Sequence, residues 1–194
     1  MNPDSQDLRH VADLTLQYYD QHAEDFWEGT RNHDVSQTSR RCCTIWTVNR
    51  LDLGCGPGRD LKTFTELGHV AIGLEGSAHF AAIARGQGHE IWEQNFLKLD
   101  LPKNRFDGVF ANAALFHVPS LELPRVLLEL RATLKPRGVL FSLNPHDRNE
   151  ESWNRRRYGV HHDLELHRAD ISERRVPPFR IVEALNVIET SALA

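Results

Sequence analysis

Glycines occupy alternate positions directly after a short apolar run, in the stretch LDLGCGPGRDL. Gly54, Gly56 and Gly58 permit a tight turn, and they lack the Cβ atoms that would hold a ligand away from the backbone. A helix predicted to begin after this turn would direct its unpaired N–H groups at the same ligand. A nicotinamide dinucleotide fingerprint has its third glycine one residue later, so the spacing favours a different polar ligand. The alternative interpretation is a tight connection between strand and helix that binds nothing.

A carboxylate stands where the next predicted strand ends, at Glu75, 21 residues after Gly54. Neighbouring parallel strands end at the same edge of a sheet, so Glu75 should lie beside the glycine turn. A carboxylate there can accept hydrogen bonds from the two hydroxyl groups of a ribose. The alternative is a solvent-exposed glutamate that caps the following helix together with Ser77.

Short apolar runs alternate with helical patterns through the middle of the chain, which predicts an α/β fold with a parallel sheet. The first predicted strand ends at residue 53, and the others span residues 70–74, 90–93, 106–112 and 139–143. The predicted helices span residues 58–67, 77–85 and 120–135. Ser120 is the N-cap expected for the last helix, which Pro136 and Gly138 should end. Arg50 is unusual for a strand that is buried on both faces.

The N-terminal region predicts one helix over residues 7–27, because Val11, Leu14 and Tyr18 recur three and four residues apart. Tyr18 belongs to this apolar stripe, so packing in the core is its preferred interpretation. Tyr19 is therefore the better candidate for contact with a ligand. Residues 28–41 are polar and predict a loop.

Bulk composition narrows the class of protein. The 194 residues are 40% hydrophobic and 26% charged, which fits a single domain with one core. A net charge of −4 gives no general attraction to nucleic acid or to an anionic membrane, and small-molecule partners fit better. The three cysteines, two of them adjacent, suit reduced thiols, and no apolar stretch is long enough to span a membrane. We expect a soluble cytoplasmic protein.

Together, the acidic strand end at Asp52, the GxGxG turn and the second acidic residue about twenty positions later resemble the class I S-adenosylmethionine-dependent methyltransferases. The resemblance covers about residues 18–145, since EQNFLKLDLP, FDGVFANAALFHVP and LKPRGVLFSLNP are similar to the family's third, fourth and fifth strand regions. It implies a Rossmann-like, doubly wound, mostly parallel sheet with flanking helices. After residue 145 only FRIVEALNVIE offers an apolar run, so the sheet can be incomplete at its C-terminal edge.

The same resemblance implies a division of the chain and roles for single residues. Residues 1–194 would form one methyltransferase domain, with a helical lid region at 1–35, a cofactor-binding core at 48–145 and an atypical C-terminal segment at 146–194. Asp52 would lie near the methionine end of S-adenosylmethionine, Glu75 at the ribose, Asn95 and Phe96 at the adenine, and Asn112 with Ala113 and Ala114 beneath the sulfonium. The predicted cofactor-binding residues are Tyr19, Asp52, Gly54, Cys55, Gly56, Gly58, Glu75, Gly76, Asn95, Phe96 and Asn112.

His117 is the candidate general base, because the ordinary imidazole pKa lies near 6.5. It follows the fourth predicted strand in the stretch LFHVP, which also fits a packing turn that orients the next helix. Tyr19 precedes the lid and could contact either the cofactor's carboxylate or the substrate.

Several other clusters predict no site. His146, His161, His162 and His167, with Asp147 and Asp163, match no common zinc pattern, so no metal is expected. The run from Arg155 to Arg157 has no interleaved aromatic residues and is interpreted as surface. Asn112 is followed by Ala-Ala-Leu, whereas methyltransferases acting on exocyclic base amines have two prolines and an aromatic residue there.

The predicted function is transfer of a methyl group from S-adenosylmethionine to a small-molecule acceptor by in-line attack, with the protein supplying position and exclusion of water. An S-adenosylmethionine-binding domain that is catalytically silent or regulatory is the alternative. A nucleotide-dependent oxidoreductase is disfavoured by the glycine spacing and by the lack of an obvious Tyr/Lys pair for hydride transfer.

Overall fold

The computed structural model of the chain describes residues 5–32, 48–143, 151–154, 157–160 and 180–183. Two helices come first, α1 (Ser5–Gln21) and α2 (Ala23–Thr30). The prediction of one continuous helix is wrong because His22 leaves the helical conformation, with φ −121° and ψ 16°. Its ring Nδ1 lies 2.8 Å from the Tyr18 carbonyl oxygen and donates to it. No helix in the described ranges is both long and apolar enough to cross a bilayer.

Strands and helices alternate through the central part of the chain. In chain order they are β1 (Asn49–Leu53), α3 (Arg59–Glu66), β2 (Val70–Glu75), α4 (Ala78–Gly86), β3 (Ile91–Glu93), β4 (Phe106–Asn112), a 3-10 turn (Leu115–His117), α5 (Leu123–Thr133) and β5 (Leu134–Leu143). With β8 (Arg180–Glu183), the strands form one sheet in the order β3-β2-β1-β4-β5-β8, and every pairing is parallel. The predicted Rossmann-like, doubly wound sheet is confirmed.

Helices cover both faces of the sheet because its central strands are apolar on both sides. On one face, Leu51 and Val109 pack against the stripe of α5 that includes Leu123 and Leu127. On the other face lie two smaller clusters, one around Phe64 of α3 and one that joins α3 to α4. The sheet is thus rigid where its strands end, which is where the site forms.

Arg50 is fully buried in β1. Its guanidinium lies 2.8 Å from the His69 Nε2 and stacks 4.8 Å from the centre of the Phe64 ring. The hydrogen bond and the cation–π contact compensate part of the cost of burying a charge. This explains how an arginine is tolerated in a central strand.

The junction between α5 and β5 differs from the predicted one. The helix begins at Leu123 with a proline in its first turn and without a side-chain cap, so Ser120 is not its N-cap. The helix ends at Thr133, and Pro136 and Gly138 belong to β5. The helix therefore ends before the proline and glycine that were predicted to end it, because Leu134 already pairs with Phe106 of β4. The register of this pairing is irregular between Phe106 and Gly108.

The sequence analysis did not predict two of the strands that follow residue 145. The strands β6 (Glu151–Asn154) and β7 (Arg157–Val160) form an antiparallel hairpin separate from the main sheet. The Tyr158 N–H donates to the Thr15 hydroxyl at 3.1 Å, so β7 packs on α1. The strand β8 comes from the predicted apolar run FRIVEALNVIE and extends the sheet beyond β5.

Candidate functional site

A cavity lies at the carboxyl ends of β1, β2 and β4, beneath α1. All predicted cofactor-binding residues line it except Asp52 and Gly58; those that do are Tyr19, Gly54, Cys55, Gly56, Glu75, Gly76, Asn95, Phe96 and Asn112. Ala113, Ala114 and His117 line it as well. These residues come from five separate stretches of sequence, and four of the stretches meet there because parallel strands end at a common edge.

The glycine turn shapes the floor of this cavity in two ways. Gly54 has a φ of +69°, and a Cβ at this position would lie 2.8 Å from the Ala114 Cβ. Gly56 has a φ of +53°, but a Cβ there would meet no atom within 4 Å. Gly54 is thus required for packing against the turn after β4, whereas Gly56 keeps space open for a ligand.

Glu75 joins β2 to the glycine turn. Its Oε2 accepts from the Gly56 N–H and its Oε1 accepts from the Ser77 N–H, both at 2.8 Å. Burial raises the pKa of this carboxyl more than the hydrogen bonds from the Ser77 and Gly56 N–H groups lower it. Each carboxylate oxygen has a second lone pair, so Glu75 can still accept from a ligand. Glu75 is buried, which contradicts its interpretation as a solvent-exposed helix cap.

Asp52 is buried and does not line the cavity, and its Oδ2 has no hydrogen-bond partner among the described residues. Burial, together with the nearby carboxyl groups of Asp60 and Glu75, holds the pKa of Asp52 well above 3.8. A buried carboxyl oxygen without a hydrogen-bond partner is costly in the free protein. A ligand with an ammonium or N–H group near this position would relieve that cost.

The Asp52→Asn variant should be more stable than the wild type at about pH 8, by about 1 kcal/mol or more, because its neutral side chain avoids the cost of burying a charged carboxylate. The pKa of Asp52 is raised on folding. Folding therefore takes up a proton, and the free energy of unfolding falls as pH rises through the folded pKa. The variant has no carboxyl group at position 52, so its free energy of unfolding does not fall in this way. Urea unfolding of both proteins between about pH 5 and pH 8 measures the difference.

Asp107→Asn is a control whose expected effect on stability is opposite to that of Asp52→Asn. Partial burial alone would raise its pKa, but hydrogen bonds from the Asn49 N–H, the Lys135 ammonium and the Val48 N–H lower it. Its two oxygens accept from the Asn49 N–H at 2.8 Å and from the Lys135 Nζ at 2.9 Å. Asp107→Asn should therefore be less stable than the wild type at about pH 8. Equal destabilisation by both substitutions would contradict the account of Asp52.

The helix α1 closes over the cavity from above. The Asp20 Oδ1 accepts from the Ser77 hydroxyl at 2.6 Å and from the His79 N–H at 3.2 Å, which ties α1 to the start of α4. A Cβ at Gly76 would lie 2.6 Å from the Leu16 side chain, so the absence of a side chain lets α1 approach β2 closely.

Tyr19 and His117 face each other in the cavity wall. The Tyr19 hydroxyl lies 2.8 Å from the His117 Nε2, and the His117 Nδ1 lies 2.8 Å from the Tyr158 carbonyl oxygen. Burial lowers the pKa of His117 to about 4, against a smaller raising effect of the Tyr158 hydrogen bond. His117 is thus neutral at pH 7. Tyr18 instead stacks on His22 at 4.2 Å and does not line the cavity.

Arg157 was interpreted as part of a surface run, which is wrong for this residue. It is half-buried, and its guanidinium lies 5.2 Å from the Tyr18 ring centre and 5.8 Å from that of Tyr19. The β6–β7 hairpin, which no sequence signal predicted, brings it there. Its charge lowers the pKa of Tyr19, although burial has the larger effect and raises that pKa.

Comparison with known proteins identifies a family for part of the chain. A profile described as a methyltransferase domain matches residues 51–142, which extend from β1 to β5 and contain the glycine turn and Glu75. Residues 51–142 are thus similar to a methyltransferase domain, which supports the class I S-adenosylmethionine-dependent methyltransferase family. The resemblance that the sequence motifs indicated is therefore confirmed.

Curated methyltransferases match the same region. Sterol 24-C-methyltransferase of Yarrowia lipolytica is 34% identical over 99 residues, which are 46% of this chain and 25% of that protein. Ubiquinone biosynthesis O-methyltransferase of Rhodopseudomonas palustris is 32% identical over 102 residues, which are 48% of this chain and 38% of that protein. The chain thus spans well under half the length of either relative.

Solved methyltransferase structures share the fold. The 1,6-didemethyltoxoflavin-N1-methyltransferase of Burkholderia thailandensis aligns with a TM-score of 0.65 at 19% identity, covering 90% of this chain and 81% of that chain. A DhpI-SAM-HEP complex aligns with a TM-score of 0.66 at 19% identity, covering 88% of this chain and 91% of that chain. At this level of identity the likeness establishes the fold alone.

Asp60 is a residue of the candidate site that the sequence analysis missed. It lines the cavity, is buried, and its Oδ2 lies 3.4 Å from the Asn112 Nδ2. Asp60 also raises the pKa of Asp52, after the larger effect of burial. An acidic residue in the first helical turn after the glycine turn was the available signal.

Asn95 and Phe96 lie in the part of the cavity where the adenine was predicted. The Asn95 Oδ1 accepts from the Leu97 N–H at 2.8 Å, which orders the turn after β3. The Phe96 ring lies 3.1 Å from the position of a Cβ at Gly54 and so packs against the glycine turn. Cys55, also in the wall, has a pKa raised well above 9.0 by burial, so its thiol stays protonated.

Some residues singled out in the sequence lie outside the described residues. These are Cys42, Cys43, His146, Asp147, Arg155, Arg156, His161, His162, Asp163 and His167. Within the described ranges, no group of three or more His, Cys, Asp or Glu side chains could hold a metal ion.

Proposed function

We propose that this chain binds S-adenosylmethionine in the cavity and transfers its methyl group to a small-molecule acceptor. The observation that carries the proposal is the buried carboxylate of Glu75, which lines the cavity and accepts from the Gly56 N–H at 2.8 Å. It couples the acid of β2 to the glycine turn of β1, so one ligand can contact both. The similarity of residues 51–142 to a methyltransferase domain supports the same cofactor.

Each predicted residue then has a role that fits its surroundings. Glu75 would accept from the two ribose hydroxyls, with Gly76 beside it. Asp52, whose Oδ2 is unpartnered, would act on the methionine end through its charge or through an ordered water. The other predicted residues that line the cavity would be its remaining walls: Gly54, Cys55 and Gly56 below the cofactor, Asn95 and Phe96 at the adenine, and Asn112 near the sulfonium. Gly58 does not line the cavity and would instead shape the start of the following helix.

Bound S-adenosylmethionine supplies a methyl group that is already activated by a positive sulfur. The chain's own task is to hold an acceptor in line with that methyl group and to keep water away. The helices α1 and α2, within residues 1–35, would act as the lid, residues 48–145 would be the cofactor-binding core, and residues 146–194 would be an atypical C-terminal segment.

A small-molecule acceptor agrees with the net charge of −4 and with the names of the relatives. Those names refer to sterols and to ubiquinone biosynthesis, and one solved neighbour has 1,6-didemethyltoxoflavin bound. All are small organic molecules. We therefore propose an acceptor of this general size.

Calorimetric titration with S-adenosylmethionine and with S-adenosylhomocysteine tests the proposal. We expect one site with micromolar Kd for each compound. A wild type that unfolds cooperatively but binds neither compound would sink the proposal. Binding without formation of S-adenosylhomocysteine from any acceptor would instead favour a silent or regulatory domain.

A further inference from the structure

The first turn of α3 places two opposite charges in the cavity wall. Arg59 and Asp60 are neighbours at the start of this helix, directly after the glycine turn, and both line the cavity. An α-amino acid carries its ammonium and its carboxylate on one carbon atom, so a ligand of this kind presents the same two charges side by side. The pair is therefore complementary to an amino-acid zwitterion.

The Asp60 carboxylate provides the negative half of the pair. It is 8% exposed, and its Oδ2 accepts from the Asn112 Nδ2 at 3.4 Å, a long hydrogen bond. After the larger effect of burial, the charges of Asp60 and Glu75 raise the pKa of Asp52, and that of Arg59 lowers it. Three carboxyl groups therefore interact with one guanidinium here. Buried charges need partners of opposite sign, which a ligand ammonium beside Asp60 would supply.

The Arg59 guanidinium provides the positive half of the pair. Its Nη1 donates to the Thr30 carbonyl oxygen at 3.1 Å, which holds the side chain against the end of α2. A guanidinium has five N–H donors in one plane, and this bond uses one of them. Carboxylates fit such a fork because they accept two parallel hydrogen bonds from it. Arg59 can therefore bind a ligand carboxylate while it stays attached to α2.

The position of the pair along the cavity indicates which part of the cofactor it meets. The sheet order runs β3-β2-β1-β4, with Asn95 after β3 and Glu75 at the end of β2. Asp60 lies at the far side, where it contacts Asn112 at the end of β4. Neighbouring strands lie about 4.8 Å apart, so about 14 Å separates β3 from β4. A cofactor with its adenine at Asn95 and its ribose at Glu75 thus extends its amino-acid end toward Asp60.

We propose that Asp60 binds the ammonium of the cofactor's amino-acid group and that Arg59 binds its carboxylate. The inference rests on the proposed function and adds two specificity-determining residues to it. Asp52 does not line the cavity, so it acts on this end of the cofactor through its charge, whereas Arg59 and Asp60 make the contacts. The pair makes the cavity select adenosyl compounds that carry an intact amino-acid group.

Calorimetric titration with three thioethers matches each residue to the ligand group that it binds. S-Adenosylhomocysteine has both the ammonium and the carboxylate, decarboxylated S-adenosylhomocysteine has the ammonium alone, and 5′-methylthioadenosine has neither. The sulfur is uncharged in all three, so differences in Kd come from the amino-acid group. We expect the wild-type Kd to rise by about 10-fold or more at each step of this series, because hydrogen bonds between charged groups are lost.

Variants of the two residues should respond to different compounds. Arg59→Gln should weaken binding of S-adenosylhomocysteine by about 10- to 100-fold, with a change of less than about threefold for the decarboxylated compound. Asp60→Asn, which keeps an acceptor for Asn112, should weaken binding of both compounds that carry the ammonium. Neither variant should change the Kd for 5′-methylthioadenosine, whose binding also shows that the variant is folded.

The controls are Lys62→Gln and Glu66→Gln, two changes of charge at exposed positions of α3 outside the cavity. Both should bind all three compounds like the wild type. They match the charge change of Arg59→Gln and of Asp60→Asn, respectively. Weaker binding of S-adenosylhomocysteine by these controls to the same extent would show a general effect of charge and would contradict the inference.

Three further results would contradict the inference. If Arg59→Gln weakens binding equally with and without the ligand carboxylate, Arg59 serves only to attach α2 through Thr30. If Asp60→Asn weakens binding of 5′-methylthioadenosine as much as that of S-adenosylhomocysteine, Asp60 only shapes the cavity. Equal affinity of the wild type for all three compounds contradicts both assignments. A folded wild type that binds none of them is a different result, because it contradicts the proposed function and the inference falls with it.

Discussion

Replacing Gly56 by leucine should weaken S-adenosylmethionine binding by about 10- to 100-fold or more. The new side chain meets no protein atom at its Cβ, so it projects into the space that the cofactor would occupy. Overpacking costs about 1–3 kcal/mol even where neighbouring groups can adjust, and about 1.4 kcal/mol corresponds to a tenfold change in Kd. Calorimetric titration of the variant measures the loss.

Gly88→Leu is the matched control for this substitution. Gly88 has a φ of +90°, is exposed, and a Cβ there would also meet no atom within 4 Å, but it does not line the cavity. Both variants therefore carry the backbone strain of a left-handed L residue, about 1–2 kcal/mol, and only one fills the cavity. Equal cofactor affinity in the two variants would show that Gly56 does not border the ligand.

Replacing Glu75 by alanine should weaken cofactor binding by about 100-fold or more. Hydrogen bonds to a charged group contribute about 1.5–3 kcal/mol each, and the two ribose hydroxyls would lose both of theirs. The Gly56 N–H and the Ser77 N–H would lose their acceptor as well, which loosens the turn. Glu75→Gln retains one acceptor oxygen and should give an intermediate Kd.

The control for Glu75 is its register neighbour on the next strand, Glu93. Glu93 is exposed, pairs with Arg85 at 3.0 Å and lies outside the cavity, so Glu93→Ala should leave the Kd unchanged. Burial has raised the pKa of Glu75, so cofactor affinity in the wild type should also decrease as pH falls through that pKa. A Kd that Glu75→Ala leaves unaltered would contradict the assignment of the ribose.

Asp52 illustrates a balance between stability and binding. Its carboxyl is buried with an unpartnered Oδ2, an arrangement that lowers the stability of the free chain. The same substitution that should stabilise the chain, Asp52→Asn, removes the negative charge proposed to act on the methionine end. Strain of this kind is expected at binding sites, where ligand contacts compensate it.

The sequence by itself determined the sheet and the main walls of the cavity. Alternating apolar runs and helical patterns are local signals, and Gly54, Gly56 and Glu75 stand at strand ends whose parallel arrangement brings them together. Most residues predicted to hold the cofactor therefore line one cavity. The family resemblance followed from the same motifs, because their spacing reflects the geometry of two neighbouring strands.

Only the tertiary structure decided which groups meet around Tyr19 in the cavity wall. Tyr19, His117 and Tyr158 are far apart in sequence, and the hydrogen bonds that link them depend on how α1 and the β6–β7 hairpin pack. Long-range packing also placed Arg157 against Tyr19, although its sequence context suggested a surface residue. Contacts of this kind leave no periodic pattern in the chain, since they join elements through single side chains.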